Sequence, residues 1–395
     1  MILDIVIVLT VAAASAVVWR PSLRKWPVWR AMVTPLASII GSGFLVLGPL
    51  LNDAYGVWAP VAMAALCAAA WGFGAAIRDN IATIGDNLDA GEGVWAEGLA
   101  SALLGFAYMI SVAYYLNLFG AFALSLTPWS DPLSARILTS AVYLLILGVG
   151  LTKGFRMLET MEYASVALKL AIIAGLLVAL AVYFTGLAAQ GQLVTAPARV
   201  TGWAALTLGF GMIVTVQGFE TSRYLGHAYD APTRIRSMRM AQGLSTAIYL
   251  VYIGLIAFTF APDPAHLTET AIVGMMGQVS PILPLFLVAA ALAAQFSAAV
   301  ADTSGSGGLI AEISRDRMTP RQAYAVTVGV GLAITWAADV FQIIAYASRA
   351  FAAYYAVQAA MAAARVWPRR PARAAVHAAL AVLALAVVIF GAPVE

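Results

Sequence analysis

The stretch SIIGSGF, Ser38 to Phe44, lies in the middle of an apolar run, residues 31–51, that is long enough to cross a membrane. Glycine disfavours an α-helix by about 1 kcal/mol relative to alanine, and two glycines flank a serine here. Lipid tolerates irregular backbone only where protein or a water-filled cavity covers it. The glycines therefore indicate either close packing between helices or an unwound segment whose free N–H groups bind an anionic ligand.

The composition around this stretch is that of a membrane protein. Of 395 residues, 62% are hydrophobic and only 10% are charged, and the mean hydropathy is +0.89. A crossing helix needs about 20 mostly apolar residues, and this length predicts an all-α polytopic protein of about twelve transmembrane helices. The predicted spans are 1–18, 31–51, 57–77, 99–124, 136–151, 160–186, 203–225, 241–261, 281–312, 321–337, 340–363 and 374–391.

The basic residues predict the orientation of these spans. With the N-terminus outside, 17 of the 22 Lys and Arg residues fall in cytoplasmic segments, and only Arg136 and Arg199 fall in external ones. Because positive charge favours the cytoplasmic side, we expect a multi-pass protein of the cell inner membrane with both termini outside. The first span is expected to be retained rather than cleaved, since no basic residue precedes it and Asp4 does.

A second interruption favours the unwound interpretation. The stretch VTVQGFETSRY, residues 214–224, places polar residues deep in the span 203–225. Transporters built from inverted repeats carry broken helices at corresponding positions of their two halves. If 31–51 is core helix 1, then 203–225 is core helix 6. Counted in the same order, core helices 3, 5, 8 and 10 are the spans 99–124, 160–186, 281–312 and 340–363. The halves are then residues 31–186 and 203–363, with residues 1–30 and the helix 374–391 outside them.

Four stretches in this order resemble the amino acid-polyamine-organocation (APC) transporter superfamily. They are SIIGSGF, the loop into core helix 5 TKGFRMLETMEYASVALKL, the core helix 6 region GFETSRYLGHAYDAPTRIRSMR with Pro232 and Arg234, and the core helix 8 exit AEISRDRMTP. The sequence departs from the family in having His227 and Ala228 where a paired acidic motif is usual. It also has an additional span before core helix 1 and only one after core helix 10. The resemblance implies the five-plus-five inverted repeat of the leucine-transporter fold, with core helices 1 and 6 broken.

The resemblance also implies a substrate site beside the two breaks. For an amino acid or related small amine, main-chain N–H groups would hold the carboxylate, and carbonyls of core helix 6 would face the ammonium. Core helix 3 would add an aromatic wall, although aromatic residues at such spacing also serve as packing or interface anchors. The expected substrate-binding residues are Ile40, Gly41, Ser42, Gly43, Thr215, Val216, Gln217, Gly218 and Tyr108.

Ionisable groups within spans are functional candidates and need partners. Lys169 either extends to the cytoplasmic interface or, as in many sodium-independent members of the family, puts its ammonium where a sodium ion would otherwise bind. Asp302, Thr303 and Ser304 lie at a similar depth on core helix 8. We expect Asp302 to pair with Lys169. The alternative is a sodium site near Asp302 and Ser304, since hard cations prefer oxygen ligands.

Burial disfavours the charged forms of both groups, so a lysine–aspartate pair is able to exchange a proton while a transporter changes face. The resulting expectation is a secondary active transporter that is proton-coupled or sodium-independent. A sodium-coupled symporter and a non-transporting sensor on the same scaffold are the alternatives.

Two further charged residues follow the break in core helix 6. Glu220 acts either as a gating carboxylate or as an acceptor for free N–H groups at the start of a half-helix. Arg223 is three residues further on, where it would pair with Glu220 or attract an acidic substrate. Arg349, in core helix 10, has no predicted partner.

The sequence argues against other classes of protein. Three scattered histidines (His227, His266 and His377) and one cysteine, Cys67, do not form a metal site. The sequence lacks a set of histidine and carboxylate residues that would indicate an enzyme. We expect no cofactor, and the coupling ion is expected to be a proton or, in the alternative, sodium. The expected partners are a small substrate and the lipid bilayer, with no nucleic acid. The oligomeric state is not predicted.

Replacing both Gly41 and Gly43 with alanine should abolish substrate uptake while leaving expression intact, because side chains there would oppose the unwound backbone. The measurement is uptake of labelled substrate by cells or proteoliposomes, normalised to the protein present. Undiminished uptake would contradict the assignment of a substrate site to this stretch.

Overall fold

The computed structural model describes residues 2–41, 43–85, 95–152, 162–226, 228–314 and 317–394, and this part of the chain is helical with no strand. The helices, in chain order, are α1 (Ile2–Val18), α2 (Pro21–Lys25), α3 (Pro27–Ile39), α4 (Gly43–Tyr55), α5 (Ala59–Ile84), α6 (Trp95–Leu124), α7 (Pro132–Thr152), α8 (Glu162–Ala189), α9 (Gly202–Gly211), α10 (Ala231–Thr259), α11 (Ala271–Val279), α12 (Leu283–Ile313), α13 (Pro320–Ala337), α14 (Val340–Val366) and α15 (Pro371–Phe390). Short 3₁₀ segments occupy Gly56–Trp58, Ile213–Val216, Phe219–Tyr224 and Pro264–His266.

The predicted all-α membrane architecture is confirmed. Eight helical stretches of the described chain are long and apolar enough to cross a membrane, and each of the twelve predicted spans overlaps helical structure. Three of the basic residues used for orientation lie outside the described residues: Lys153, Arg156 and Arg315.

Two of the predicted spans are interrupted, as the glycines indicated. The run 31–51 divides into α3, which ends at Ile39, and α4, which begins at Gly43. The run 203–225 divides into α9, a 3₁₀ segment, an extended step at Gln217 and a second 3₁₀ segment. Both breaks lie among buried residues, where protein rather than lipid surrounds the irregular backbone.

The breaks are enclosed by long helices that pack against one another. α6 packs extensively against α12 and α14, while α10 packs against α5 and against both halves of core helix 1, α3 and α4. α7 and α13 pack together and also contact α6. The centre of the bundle is therefore lined by α6, α10, α12 and α14, which hold most of the contacts described below.

The first helix is a packed element of the bundle. α1 lies along α8, where Gly175 permits close approach, since a Cβ there would lie 2.7 Å from Val11 Cγ2. Ser280 Oγ also donates to Asp4 Oδ1 at 2.5 Å.

The last helix is tied to the bundle by polar contacts. Arg373 donates to both oxygens of Asp79 on α5, at 2.6 and 2.7 Å, and His377 Nε2 lies 2.7 Å from Asp79 Oδ2. His377 lies within α15 and is 2% exposed. Arg349, which had no predicted partner, donates from Nε to the Gly391 carbonyl at 2.8 Å, just beyond the end of α15.

Several helix starts follow from local sequence. Thr319 with Gln322 and Asp339 with Gln342 form capping boxes at α13 and α14. Asp230 caps α10 by accepting from the Thr233 N–H at 3.0 Å, and hydrogen bonds from Thr233 lower the pKa of this exposed carboxyl.

Replacing Asp79 with alanine should destabilise the protein by about 2 kcal/mol, because a largely buried carboxylate that serves Arg373 and His377 is lost. The measurement is thermal unfolding of the purified protein in detergent. Asp131→Ala is the control, since the Asp131 side chain is exposed and accepts from Ser134 at the turn before α7, with no ion pair to another helix among the described residues. Equal losses in the two variants would contradict the anchoring role.

Candidate functional site

The break in core helix 1 is a short departure from helical backbone. The Ile40 N–H still bonds to the Leu36 carbonyl at 3.1 Å, but its ψ of 55° turns the chain out of the helix before α4 begins at Gly43. Ile40, Gly41 and Gly43 are buried. Ser42, expected among the substrate-binding residues, lies outside the described residues.

The break in core helix 6 is longer. After the 3₁₀ segment, Gln217 is extended with ψ 177°, and Gly218 has φ +113°, a conformation that L side chains rarely adopt. The Gln217 amide nitrogen donates to Tyr115 Oη at 3.1 Å. Val216 and Ile39 line a cavity of about 10 Å³ beside Tyr249, room for about one water molecule.

The two breaks touch each other. A Cβ on Gly43 would lie 2.9 Å from the Cα and Cβ of Thr215, and a Cβ on Gly218 would lie 2.4 Å from the Cβ of Ser38. Those distances are too short for a side chain. Both interpretations of the glycines therefore apply together, since the helices are interrupted and the glycines also let the interrupted backbones approach.

A tyrosine that sequence reasoning missed joins the two breaks. Tyr249 Oη, from α10, lies 2.7 Å from the Ile39 carbonyl and 2.8 Å from the Thr215 carbonyl. Its single hydroxyl proton is thus directed at the carbonyl ends of both interrupted segments. The Thr215 carbonyl was expected to face a substrate ammonium, and it already accepts this bond.

A serine that was also missed holds the longer break. Ser348 Oγ, on α14, accepts from the Val214 N–H at 3.0 Å and donates to the Gly211 carbonyl at 2.6 Å. These are main-chain groups that the end of α9 leaves without helical partners. One hydroxyl therefore satisfies both sides of the interruption.

Lys169 is directed at the first break. It is 3% exposed, and its Nζ donates to the Ala37 carbonyl at 2.6 Å, in the last turn of α3. The ammonium is therefore held inside the bundle and does not extend to the interface. Cations are stabilised near the carbonyl end of a helix, and α3 ends two residues later.

The expected ion pair between Lys169 and Asp302 is not formed among the described residues. Asp302 instead accepts a hydrogen bond from Ser111 on α6. The prediction was wrong because equal depth on two helices does not make their side chains face each other, and Asp302 points to α6 while Lys169 points to α3.

The other core helix 8 candidates differ in their contacts. Thr303 Oγ1 donates to the Ala299 carbonyl one turn earlier, at 2.7 Å. Ser304 is partly buried. Ser306 Oγ lies 2.5 Å from Thr327 Oγ1 on α13. The Thr303 and Ser306 hydroxyls thus make contacts within the helix and with α13, whereas Asp302 interacts electrostatically with Glu220.

Glu220 takes the capping role. Its Oε2 accepts from the Gly218 N–H at 2.9 Å and from Tyr355 Oη at 2.8 Å, while its buried Oε1 has no partner among the described residues. The Tyr355 ring stacks between Phe73 and Phe219, with centroids 5.1 and 5.2 Å away.

Tyr108 lies in the same region, edge-on to Phe351 at 6.0 Å and within electrostatic reach of Asp302 and Glu220. The expected aromatic wall of core helix 3 is therefore adjacent to the break in core helix 6, although Tyr115 rather than Tyr108 bonds to it directly. Asn117, by contrast, bonds to Thr335 at 2.8 Å and belongs to the packing between α6 and α13.

The predicted Arg223–Glu220 pair is replaced by a polar cluster, which we call the Glu97 cluster. Arg223 Nη2 and Arg365 Nη2 bind the two oxygens of Glu97 at 2.5 and 2.7 Å. Asn80 and Gln358 link the same arginines through bonds of 2.8 to 3.0 Å. Four separate segments, α5, α6, the end of core helix 6 and α14, are thereby joined at one end of the bundle.

Buried Arg234 adds further hydrogen bonds beside the Glu97 cluster. It donates to the Arg223 carbonyl at 3.0 Å and to the Gly85 carbonyl at 2.8 Å. The sequence predicted an arginine after Pro232 only through the family resemblance. The bonds of Arg234 to two main-chain carbonyls explain why a long cationic side chain is needed at this position. His227 lies outside the described residues, and no group of three potential metal ligands occurs within the described ranges.

Comparison with known proteins gives two matches. A family model described as APC superfamily transporter matches residues 21–391. A relative from Aquifex aeolicus (strain VF5), described as an uncharacterized protein, is 40% identical over 351 residues, which cover 87% of this chain and 85% of the relative.

Replacing Tyr249 with phenylalanine should lower protein stability by about 1 to 2 kcal/mol, because two buried carbonyls lose their shared donor. Thermal unfolding in detergent measures the change. Tyr252→Phe is a matched control on the same helix, since its hydroxyl makes a longer bond of 3.3 Å to the Leu45 carbonyl. A loss for Tyr252→Phe as large as that for Tyr249→Phe would contradict the bridging role.

Proposed function

The chain belongs to the APC superfamily of transporters, and on this premise we propose that it is a secondary active transporter of amino acids or related small amines that does not require sodium. It moves its substrate by alternating access across the cell inner membrane. Both termini face outward in this proposal, as the distribution of basic residues favours.

The paired interruptions support the transport mechanism. Each half of the chain, 31–186 and 203–363, begins with a broken helix and continues through four further long helices. This arrangement agrees with an inverted repeat whose substrate site lies at the interface between the halves. Contacts between the breaks at Gly43 and Thr215 bring the two halves together at that interface.

The substrate is held, in this proposal, by main-chain groups beside the breaks. Gly41, Ser42 and Gly43 provide N–H groups for a carboxylate, and Ile40 lies beside them with its own N–H bonded to the Leu36 carbonyl. The backbone of residues 215–218 and Tyr108 face the amine end. The contact between Gly43 and Thr215 must open for the substrate to enter. Opening requires a change of state, as alternating access does.

The observation that carries the coupling proposal is the Lys169 hydrogen bond to the Ala37 carbonyl. A fixed ammonium at the carbonyl end of α3 supplies the positive charge that a bound sodium ion would otherwise contribute to this helix end. Lys169 is therefore assigned to the coupling step, with proton release and uptake as the favoured chemistry. Asp302 and Glu220 are the other candidate proton carriers, since both are buried carboxyls near the second break.

A sodium-coupled symporter is the second candidate, with Asp302 and Ser304 as ligands. The hydrogen bond that Asp302 accepts from Ser111 favours it less, because this bond engages one of the carboxylate oxygens that such a site needs. A non-transporting sensor would keep the same fold and is separated only by measuring net uptake.

The Glu97 cluster supports a state closed to the cytoplasm. In the proposed orientation, the ends of α5 and α14 and the start of α6 lie on the cytoplasmic side. Arg223 and Arg365, which meet at Glu97, then seal the route from the breaks to that side.

The experiment is uptake by proteoliposomes under imposed pH or sodium gradients. A thermal-shift screen against amino acids, amines and organic acids first identifies a ligand, because ligands that bind the folded state raise its stability. Wild-type protein should accumulate that ligand in sodium-free buffer, and an inward proton gradient should stimulate uptake. Lys169→Gln should reduce the gradient-driven component at least about tenfold, since charge compensation at α3 is lost.

Lys25→Gln, at the exposed helix α2, is the matched control and should transport normally. A strict sodium requirement in the wild type would overturn the Lys169 assignment. Binding without net accumulation of any ligand under either gradient would instead favour the sensor.

A further inference from the structure

A large pocket lies away from the two breaks, at the end of α4 opposite the Glu97 cluster. Its volume is about 890 Å³, within the range of small-molecule sites. The ends of α4 and α10, the following loop and α11 enclose it. The polar residues among its lining include Asn52, Asp53, Asp263, Thr270 and Gln278.

Asn52 presents an acceptor to this pocket. Its Nδ2 donates to the Phe260 carbonyl at 2.9 Å, which fixes the orientation of the amide because the opposite orientation would place two oxygens together. The Oδ1 atom is buried and has no hydrogen-bond partner among the described residues, while the whole residue is 2% exposed. A buried acceptor without a donor carries a desolvation cost that a bound donor would relieve.

Asp53, the next residue, presents a second acceptor. One carboxylate oxygen pairs with Arg199, whose side chain is 49% exposed. The other oxygen, Oδ1, is buried and also has no partner in the described part of the chain, and the residue is 5% exposed. One oxygen of this carboxylate thus lacks a hydrogen-bond donor among the described residues, while the other is paired with Arg199.

The lining determines which ligand chemistry fits. Among the residues whose side chains the structure describes, the lining includes the carboxylates Asp53 and Asp263 and no Lys, Arg or His residue. The remaining wall is largely apolar, with Pro49, Phe260 and Met275. A bare metal ion would need six or more oxygen ligands, whereas an ammonium group has three donors for a few acceptors and brings a carbon skeleton for apolar walls.

We propose that this pocket binds the ammonium group of a small organic amine, with Asn52 Oδ1 and Asp53 Oδ1 as its acceptors and the apolar wall around its carbon chain. The site is separate from the breaks and goes beyond the proposed transport step. In the proposed orientation it faces the outside, where it captures amines before any conformational change. Arg199 competes with the ligand for Asp53.

The test is binding of n-butylammonium chloride to the purified full-length protein, by calorimetry and thermal shift at constant ionic strength. The wild type should bind it saturably. Asp53→Asn and Asn52→Leu should each weaken binding at least about tenfold, the loss expected for a charged hydrogen bond. Asp53→Asn preserves side-chain size and carries the test if Asn52→Leu does not fold.

Arg199→Gln gives the most discriminating result. It should tighten binding by roughly two- to fivefold, because a half-exposed ion pair no longer competes for Asp53. A purely structural role of the Asp53–Arg199 pair predicts weaker binding instead. Asp131→Asn, which removes an exposed carboxylate elsewhere, should leave the affinity unchanged.

Three outcomes with the organic ligands would overturn the proposal, and a fourth concerns inorganic cations. They are no saturable binding of n-butylammonium, an affinity that is the same in the wild type, Asp53→Asn and Arg199→Gln, and equal binding of the neutral isostere 1-butanol. Stabilisation by sodium or calcium chloride alone that Asp53→Asn abolishes would assign the pocket to an inorganic cation and also overturn it. These experiments measure binding and not uptake, so their result does not depend on whether the protein transports a substrate.

Discussion

The structure depends on the contact between two interrupted helices inside a membrane protein. Gly43 lies against Thr215, Gly218 lies against Ser38, and Tyr249 directs one hydroxyl at carbonyls of both segments. Each interruption alone would leave main-chain groups without partners in a medium that offers no water. Because the two interruptions meet, side chains of α10 and α14 that bond to the main chain of one interruption also hold it against the other.

The same constraint explains where the buried polar side chains lie. Ser348, Lys169 and Glu220 each bind main-chain atoms at or beside a break rather than one another. Ion pairs lie toward the ends of the bundle, Glu97 with Arg223 and Arg365 at one end and Asp53 with Arg199 at the other. Three of the central polar side chains are thus tied to irregular backbone, whereas these ion pairs lie away from the centre.

Much of the fold was predictable because the bilayer allows few solutions. Apolar length predicted the helices. Glycines in the run 31–51, together with polar residues deep in the run 203–225, predicted the two interruptions. The partners of the charged residues were not predictable in the same way. Depth along a helix placed Lys169 and Asp302 at one level, but the rotation of each helix decides which neighbour a side chain faces, and hydropathy carries no information on that rotation in helices that are apolar all round.

The residues that sequence reasoning missed share a physical reason. Tyr249 and Ser348 are single hydroxyls on long apolar helices, where a tyrosine is ordinarily a packing residue and a serine bonds to its own helix. The only signal was that a buried hydroxyl needs a partner. The partner proved to be backbone freed by a break more than thirty residues earlier for Tyr249 and more than one hundred and thirty earlier for Ser348.

The attachment of α15 has a mechanical consequence. This helix packs on both α5 and α14, which belong to different halves of the chain, and Asp79 and Arg349 bind it from those two helices. It therefore connects α5 of the first half of the chain with α14 of the second half. If one half rotates against the other, either α15 moves with one half or α5 and α14 stay fixed relative to each other. In the second case the hinge lies at α3, α4 and the segments around Gly218.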